Sequence, residues 1–275
     1  CLAPALLLAV VFVVIPLINV FYLSFTNWDL IKTSKKFIGL SNYFYIFSDS
    51  KFLKSMLNTL IFAGIKIPLD LFLSLFIAIL LDKKIFARRF FRASYFAPVV
   101  LPMVAATLIW IWIYDPTFGP LNQILGFFGI APIRWLYDPS TSMLSVILFS
   151  LWKGLGYDIV IFLAGLQAIP ETYSEAAKID GGNSRQIFFK ITFPLLSPIV
   201  YFVILMGIIN SFKVFTQISV MTPEGGPLYS TGVMVFYIYQ QAFENFKIGR
   251  ASAAAVILFL MILALTAVQR KAGSK

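Results

Sequence analysis

An all-α, polytopic membrane fold of about six spanning helices is what this sequence predicts, and three observations predict it. The chain of 275 residues is 60% hydrophobic and only 12% charged, with a mean hydropathy of +0.88, whereas soluble domains carry about 25% charged residues. Six apolar stretches are each long enough to cross a hydrocarbon layer of about 30 Å. Those stretches are too long and too continuous for barrel strands, and lipid tolerates no unpaired backbone amides, so each must be a helix.

The stretches lie at about 2–25, 57–81, 93–114, 142–166, 199–220 and 251–269, within a single domain covering 1–275. The first begins directly after Cys1. It is too long for a signal-peptide core and has no convincing cleavage site, and Cys1 is read as a trimmed start rather than a lipid-modified terminus. The second contains Lys66 with Asp70 one turn later, a spacing that favours a local ion pair. In the third, Trp110 and Tyr114 share a face near one end, where interfacial aromatics settle; a stacking platform for a ligand is the functional alternative. The fourth carries Lys153 and Asp158, five apart and so about 140° around a helix, which sends them to different neighbours. Trp152 and Tyr157 flank that polar patch. In the fifth, Met206, Asn210, Lys213 and Gln217 recur at helical spacing as one polar stripe, facing either a passage or another helix.

Between the fourth and fifth spans lies a polar segment, 167–198, much longer than a turn requires. Pro170 and Glu171 suit a helix start, with Glu171 and Glu175 near its positive end. Gly181 and Gly182 break that helix, and a second is expected from about Ser184 until Pro194 and Pro198 redirect the chain. Small Ala176 and Ala177 allow close approach to a partner. An amphipathic helix resting on headgroups is the plainer alternative, and it accounts for Phe188 and Phe189.

Six spans place both ends on one side. With the ends inside, the inner segments hold Lys83, Lys84, Arg88, Arg89, Arg92, Lys178, Arg185, Lys190, Arg270, Lys271 and Lys275, against Lys32, Lys35, Lys36, Lys51, Lys54, Arg134, Lys247 and Arg250 outside. The dense basic cluster at 83–92 tips the orientation toward cytoplasmic ends. The net charge of +10 is thereby assigned to topology and anionic membrane lipid rather than to nucleic acid. Histidine is absent and Cys1 is the only cysteine, which excludes His-ligated metals, Cys/His catalysis and internal disulfides.

The spacing of Glu175, Ala176, Ala177, Asp180, Gly181, Ile191 and Pro194 resembles the EAA motif of ABC importer permeases. Further segments are similar to the carbohydrate-uptake, maltose-type branch: FIGLSNYF at 37–44, DPTFGPLN at 115–122, SFKVFTQI at 211–218, GGPLYST at 225–231 and YIYQQAF at 237–243. Phe193 stands where that motif often has Leu, and the outer loop around Thr222 is slightly expanded. The resemblance implies a non-catalytic permease in a bacterial or archaeal cytoplasmic membrane. Its partners would be an ABC ATPase dimer, docked at those seven loop residues, a second permease subunit and an extracytoplasmic solute-binding protein. The solute would be a sugar or oligosaccharide, or alternatively another polar solute such as a glycerol phosphate. Asn210, Lys213, Gln217, Trp152, Tyr157 and Trp110 are its candidate pathway residues. Gly225, Gly226 and Pro227 are candidate binding-protein contacts, or a plain turn. No cofactor is expected on this chain: no GxxxxGK[ST] segment occurs, so ATP and Mg belong on the ATPase subunits. A membrane enzyme or a stand-alone channel are the readings from other classes.

Overall fold

The fold was obtained as a computed structural model that describes residues 2–31, 35–82 and 88–273. Cys1, Lys32, Lys83, Lys84 and Lys275 lie outside the described residues, as do the side chains of Arg88, Arg89 and Arg92. The architecture is all-helical, as expected. Its long helices are α1 (Ala3–Ser24), α3 (Ser50–Asp82), α7 (Ser142–Gln167), α9 (Ser184–Phe212) and α12 (Ile248–Gly273). Shorter ones are α2 (Ser41–Ser48), α4 (Arg88–Val100), α5 (Met103–Ile113), α6 (Pro120–Phe127), α8 (Glu171–Ile179), α10 (Thr216–Met221) and α11 (Met234–Tyr239).

Three expectations are corrected. The stretch at 93–114 is not one straight span: Ala93–Val100 and Met103–Ile113 meet at 109°. Pro98 removes a helical donor just before the corner, and Pro102, the N-cap of α5, disfavours helical geometry at Leu101. The stretch at 199–220 is helical only to Phe212. Lys213 caps α9 and the chain restarts at Thr216 as α10, so Asn210 and Gln217 do not share one helix. Pro194 and Pro198 also fail to end the second loop helix, which runs on into the fifth span. A π-turn at Phe188–Thr192 comes immediately before Pro194, and the Phe193 amide bonds back to the Phe188 carbonyl. That extra residue in the turn removes the clash between the proline ring and the preceding carbonyls. The same device appears in α1, where the π-turn Val10–Val14 precedes Pro16.

The bundle is built around α3 and α7. Toward the 167–198 loop, Ala78, Leu81, Phe162, Leu163, Leu196 and Val203 form one core; toward the opposite end, Phe62, Ile147, Leu151, Ile218 and Phe236 form another. Gly156 lets α4 touch α7, since a Cβ there would stand 2.0 Å from the Tyr95 carbonyl oxygen. The small residues Ala251, Ser252, Ala253 and Ala254 are all buried, so α12 is packed closely around a full turn. Helix α1 buries none of its most apolar window and touches α12 through Phe21 and Phe259, ring centroids 6.0 Å apart; its exposed leucines and valines suit lipid. Tyr114, expected near the interface, is instead fully buried, and its hydroxyl donates to the Ser145 carbonyl at 2.9 Å.

Candidate functional site

Two places gather the candidate residues: the loop between α7 and α9, and a cavity in the middle of the bundle. In the loop, α8 buries no residue, and Ile179 at its end is 86% exposed. Glu171 lies in its first turn and Lys178 in its last, each at the helix end whose partial charge it complements. Asp180 caps the helix, Gly181 adopts φ +83°, and the Gly182 amide returns to the Ala177 carbonyl at 2.8 Å. A left-handed residue is needed there, which is why glycine suits the position. Asn183 and Gln186 then form a reciprocal capping box, both bonds 2.9 Å, and launch α9.

This short path folds the motif into two adjoining surface hollows. Ala177, Asp180, Gly181 and Ile191 line one of about 300 Å³. Glu175, with Asp82, Tyr173 and Lys178, lines another of about 500 Å³, and Ile191 borders both. Ala176 and Pro194 are exposed beside them.

The cavity, of about 400 Å³, draws its wall from α3, α5, α7, α9 and α10. Asn210, Lys213, Gln217 and Tyr157 all line it. Although Gln217 sits on a different helix from Asn210, the break at Lys213 folds both onto the same space. Gln217 donates to the Ser150 hydroxyl at 3.3 Å. Trp152 and Trp110 do not line the cavity. They pack together at 5.3 Å between ring centroids, with Trp110 also 5.1 Å from Tyr114 and 5.9 Å from Phe149, an aromatic cluster behind the wall.

The most polar wall of the cavity comes from residues outside the sequence candidates. Lys66 and Asp70 pair as expected at 2.5 Å, but they face the cavity, and Asp158 comes from α7 to stand beside them. Gly154 borders the pair: a Cβ there would lie 3.9 Å from both the Lys66 ammonium and an Asp70 oxygen, an ordinary contact distance. Lys153 reaches away from Asp158, as the 140° offset requires, and donates to the Val99 carbonyl at 3.1 Å. It thereby satisfies one of the carbonyls freed where α4 ends at the 109° corner. Charges inside spans were the available signal for this wall, because such groups must face protein or a watery passage.

At the opposite end from the loop, Gly225 and Gly226 take φ +84° and +78°, and Pro227 follows. Glu224, Leu228 and Tyr229 also have positive φ, at 59°, 52° and 59°, a concentration of strain that persists only where surrounding bonds hold it. Lys54 donates to the Leu228 carbonyl at 2.6 Å, and Asn58 to the carbonyls of Tyr229 and Gly232 at 3.0 and 2.9 Å. Burial, with Asp49 and Glu244 nearby, pushes the Tyr229 phenol well above its ordinary range, so it stays a donor, to Gln240 at 3.0 Å. The turn presents Leu228, 80% exposed, beside a hollow of about 560 Å³ that Lys51, Lys54 and Glu224 help to line.

Residues 51–273 match the family of binding-protein-dependent transport system inner membrane components. A probable ABC transporter permease of Bacillus subtilis, YurN, is 36% identical over 98% of this chain and 93% of its own length. The sn-glycerol-3-phosphate transport system permease UgpA of Agrobacterium fabrum is 33% identical over 97% and 91%. Among solved structures, a bacterial ABC transporter involved in import of the acidic polysaccharide alginate superposes with a TM-score of 0.86 at 20% identity, over 98% of this chain and 92% of that one.

Proposed function

The chain belongs to the binding-protein-dependent transport system inner membrane components, and from that premise we propose that it passes a sugar or oligosaccharide across the cytoplasmic membrane of a bacterium or archaeon. It is a multi-pass, non-catalytic permease subunit of an ABC importer, which sets aside the membrane-enzyme and channel readings. In this reading an extracytoplasmic binding protein delivers the solute to the 224–229 turn, and Gly225, Gly226 and Pro227 shape that contact. A second permease subunit completes the passage. ATP and Mg sit on an ATPase pair that docks at Glu175, Ala176, Ala177, Asp180, Gly181, Ile191 and Pro194, with the loop and both termini on the cytoplasmic side.

One observation supports this division of labour above the others: the docking loop and the cavity share a helix. From Ser184 to Phe212, α9 is one helical run of 29 residues, about 43 Å at 1.5 Å per residue. It starts at the hollow of the motif and ends at Asn210 and Lys213 in the cavity wall. Closure of the ATPase pair would move the exposed loop as a stiff body, and α9 would carry that movement to the cavity, opening it to one side and then the other. A phosphorylated polyol is the alternative solute, supported by the likeness to the Agrobacterium permease.

Affinity purification of the tagged protein from its native membrane, with mass spectrometry of bound chains, tests the assembly. Recovery of an ATPase and a second permease is expected. Recovery of the chain alone, in detergent that preserves a known importer, would remove the docking role. A cysteine placed within 175–185 is expected to react only from the cytoplasm, and labelling of intact cells from outside would invert the topology.

A further inference from the structure

Three lysines line the cavity, and the structure uses two of them. Lys66 is paired with Asp70 at 2.5 Å, and Lys153 is held by the Val99 carbonyl at 3.1 Å. Asp158, the second carboxyl of the wall, stands beside the Lys66–Asp70 pair. Lys213 is the third. It is exposed to the cavity, and among the described residues its ammonium has neither an ion pair nor a hydrogen bond. The wall thus carries one positive charge in excess of its two carboxyl groups.

An ammonium kept without a counter-charge inside a membrane protein is costly and marks a function. Lys213 stands at the C-cap of α9, where the partial negative charge of the helix end suits a cation without occupying its three donors. Around it, the same cavity presents the Asn210 amide, the Thr216 hydroxyl and the exposed Tyr157 ring, groups able to meet hydroxyls and an apolar sugar face. The volume of about 400 Å³ lies in the range of small-molecule sites, about 300–1,000 Å³.

We propose that the solute carries an anionic group, a phosphate or carboxylate on a polyhydroxylated body, and that Lys213 receives that group as it crosses the cavity. The proposal rests on the importer reading and adds the charge class of the cargo. Lysine meets such a group as a point charge with rotatable donors, which suits transient contact with a passing solute.

The test uses the assembled importer with its binding protein in liposomes, fed radiolabelled glycerol 3-phosphate, glucose 6-phosphate, glucuronate, glycerol and maltose. ATP-dependent uptake confined to the charged solutes is expected. Lys213→Gln is expected to raise KM for the charged solute about tenfold or more, the size of a lost charge-assisted hydrogen bond, and Lys213→Arg to keep most of the recognition. ATP-dependent uptake of glycerol or maltose in preference to their charged counterparts overturns the proposal and leaves the importer reading standing, and so does an unchanged KM in Lys213→Gln. The wild-type preference decides the question even where Lys213→Gln does not assemble. If no ATPase is recovered with the protein at purification, both readings fall together.

Discussion

The loop at 167–198 and the central cavity hold charged groups under opposite physical conditions. In the loop, Glu171, Glu175, Lys178 and Asp180 are exposed on a helix with no buried residue, so each charge is solvated and its pairing contributes little. In the cavity, Lys66 and Asp70 have side chains only 12% and 6% exposed, and desolvation makes the loss of either partner expensive. The same residue types are therefore free in solvent in the loop and tied to a partner in the Lys66–Asp70 pair. Substitutions at the buried Lys66–Asp70 pair are expected to damage the fold first; substitutions in the loop are expected to spare the fold and break coupling.

The sharpest way to break that contrast is at Asp70. Asp70→Ala removes the carboxylate that Lys66 bonds and leaves only Asp158 beside it, and is expected to cost about 3–5 kcal/mol, seen as loss of the monodisperse peak in detergent size-exclusion chromatography. The double substitution Lys66→Met with Asp70→Leu should recover most of that loss, because the pair rather than either charge is what the site needs. A stable, well-behaved Asp70→Ala single variant would show that the cavity is as wet as the loop.

Next in size is the helix contact behind the cavity. Gly156→Ala drives a methyl into the Tyr95 carbonyl, 2.0 Å away, and overpacking of this kind costs about 1–3 kcal/mol. A lower thermal midpoint is expected, and an unchanged one would mean that α4 is free to move off α7. At the loop, Gly181→Val places a β-branched residue at φ +83°, a local penalty of about 1–2 kcal/mol confined to the end of α8. The thermal midpoint is expected to hold while solute-stimulated ATPase activity falls; normal coupling would mean that the turn does not have to keep its shape. The smallest effect on stability belongs to Glu175→Lys, within about 0.5 kcal/mol as for other exposed sites, yet capture of the ATPase is expected to drop. A variant that binds and stimulates the ATPase normally would take Glu175 out of the docking surface.

The contrast also explains which residues could be read from the sequence. The loop is local: Pro170, Gly181, Asn183 and Gln186 act on backbone within a few positions of themselves, so the breaks and caps are written in order along the chain. Even there, the run of α9 through Pro194 is not legible from the sequence. A π-turn depends on how five consecutive residues settle, and Pro194 by itself argues for a stop. The cavity is not local. Tyr157 and Asn210 come from helices separated by the whole loop. Lys153 finds its partner at Val99, more than fifty residues away on α4, just before the 109° corner.

By itself the sequence determined that this chain lives in a membrane, that its spans are helical, and where the polar segment at 167–198 breaks at Gly181 and is capped again at Asn183. Each follows from solvation of the backbone and from local turn chemistry, which depend on composition and near neighbours. Only the tertiary structure decided that Trp110 and Trp152 stand behind the wall, that Lys66, Asp70 and Asp158 share it, and that Lys213 is left there with its donors unused. Those outcomes depend on the rotation and crossing of helices far apart in the chain, set by side-chain packing at contacts such as Gly156 against Tyr95, and helical periodicity does not encode which faces will meet.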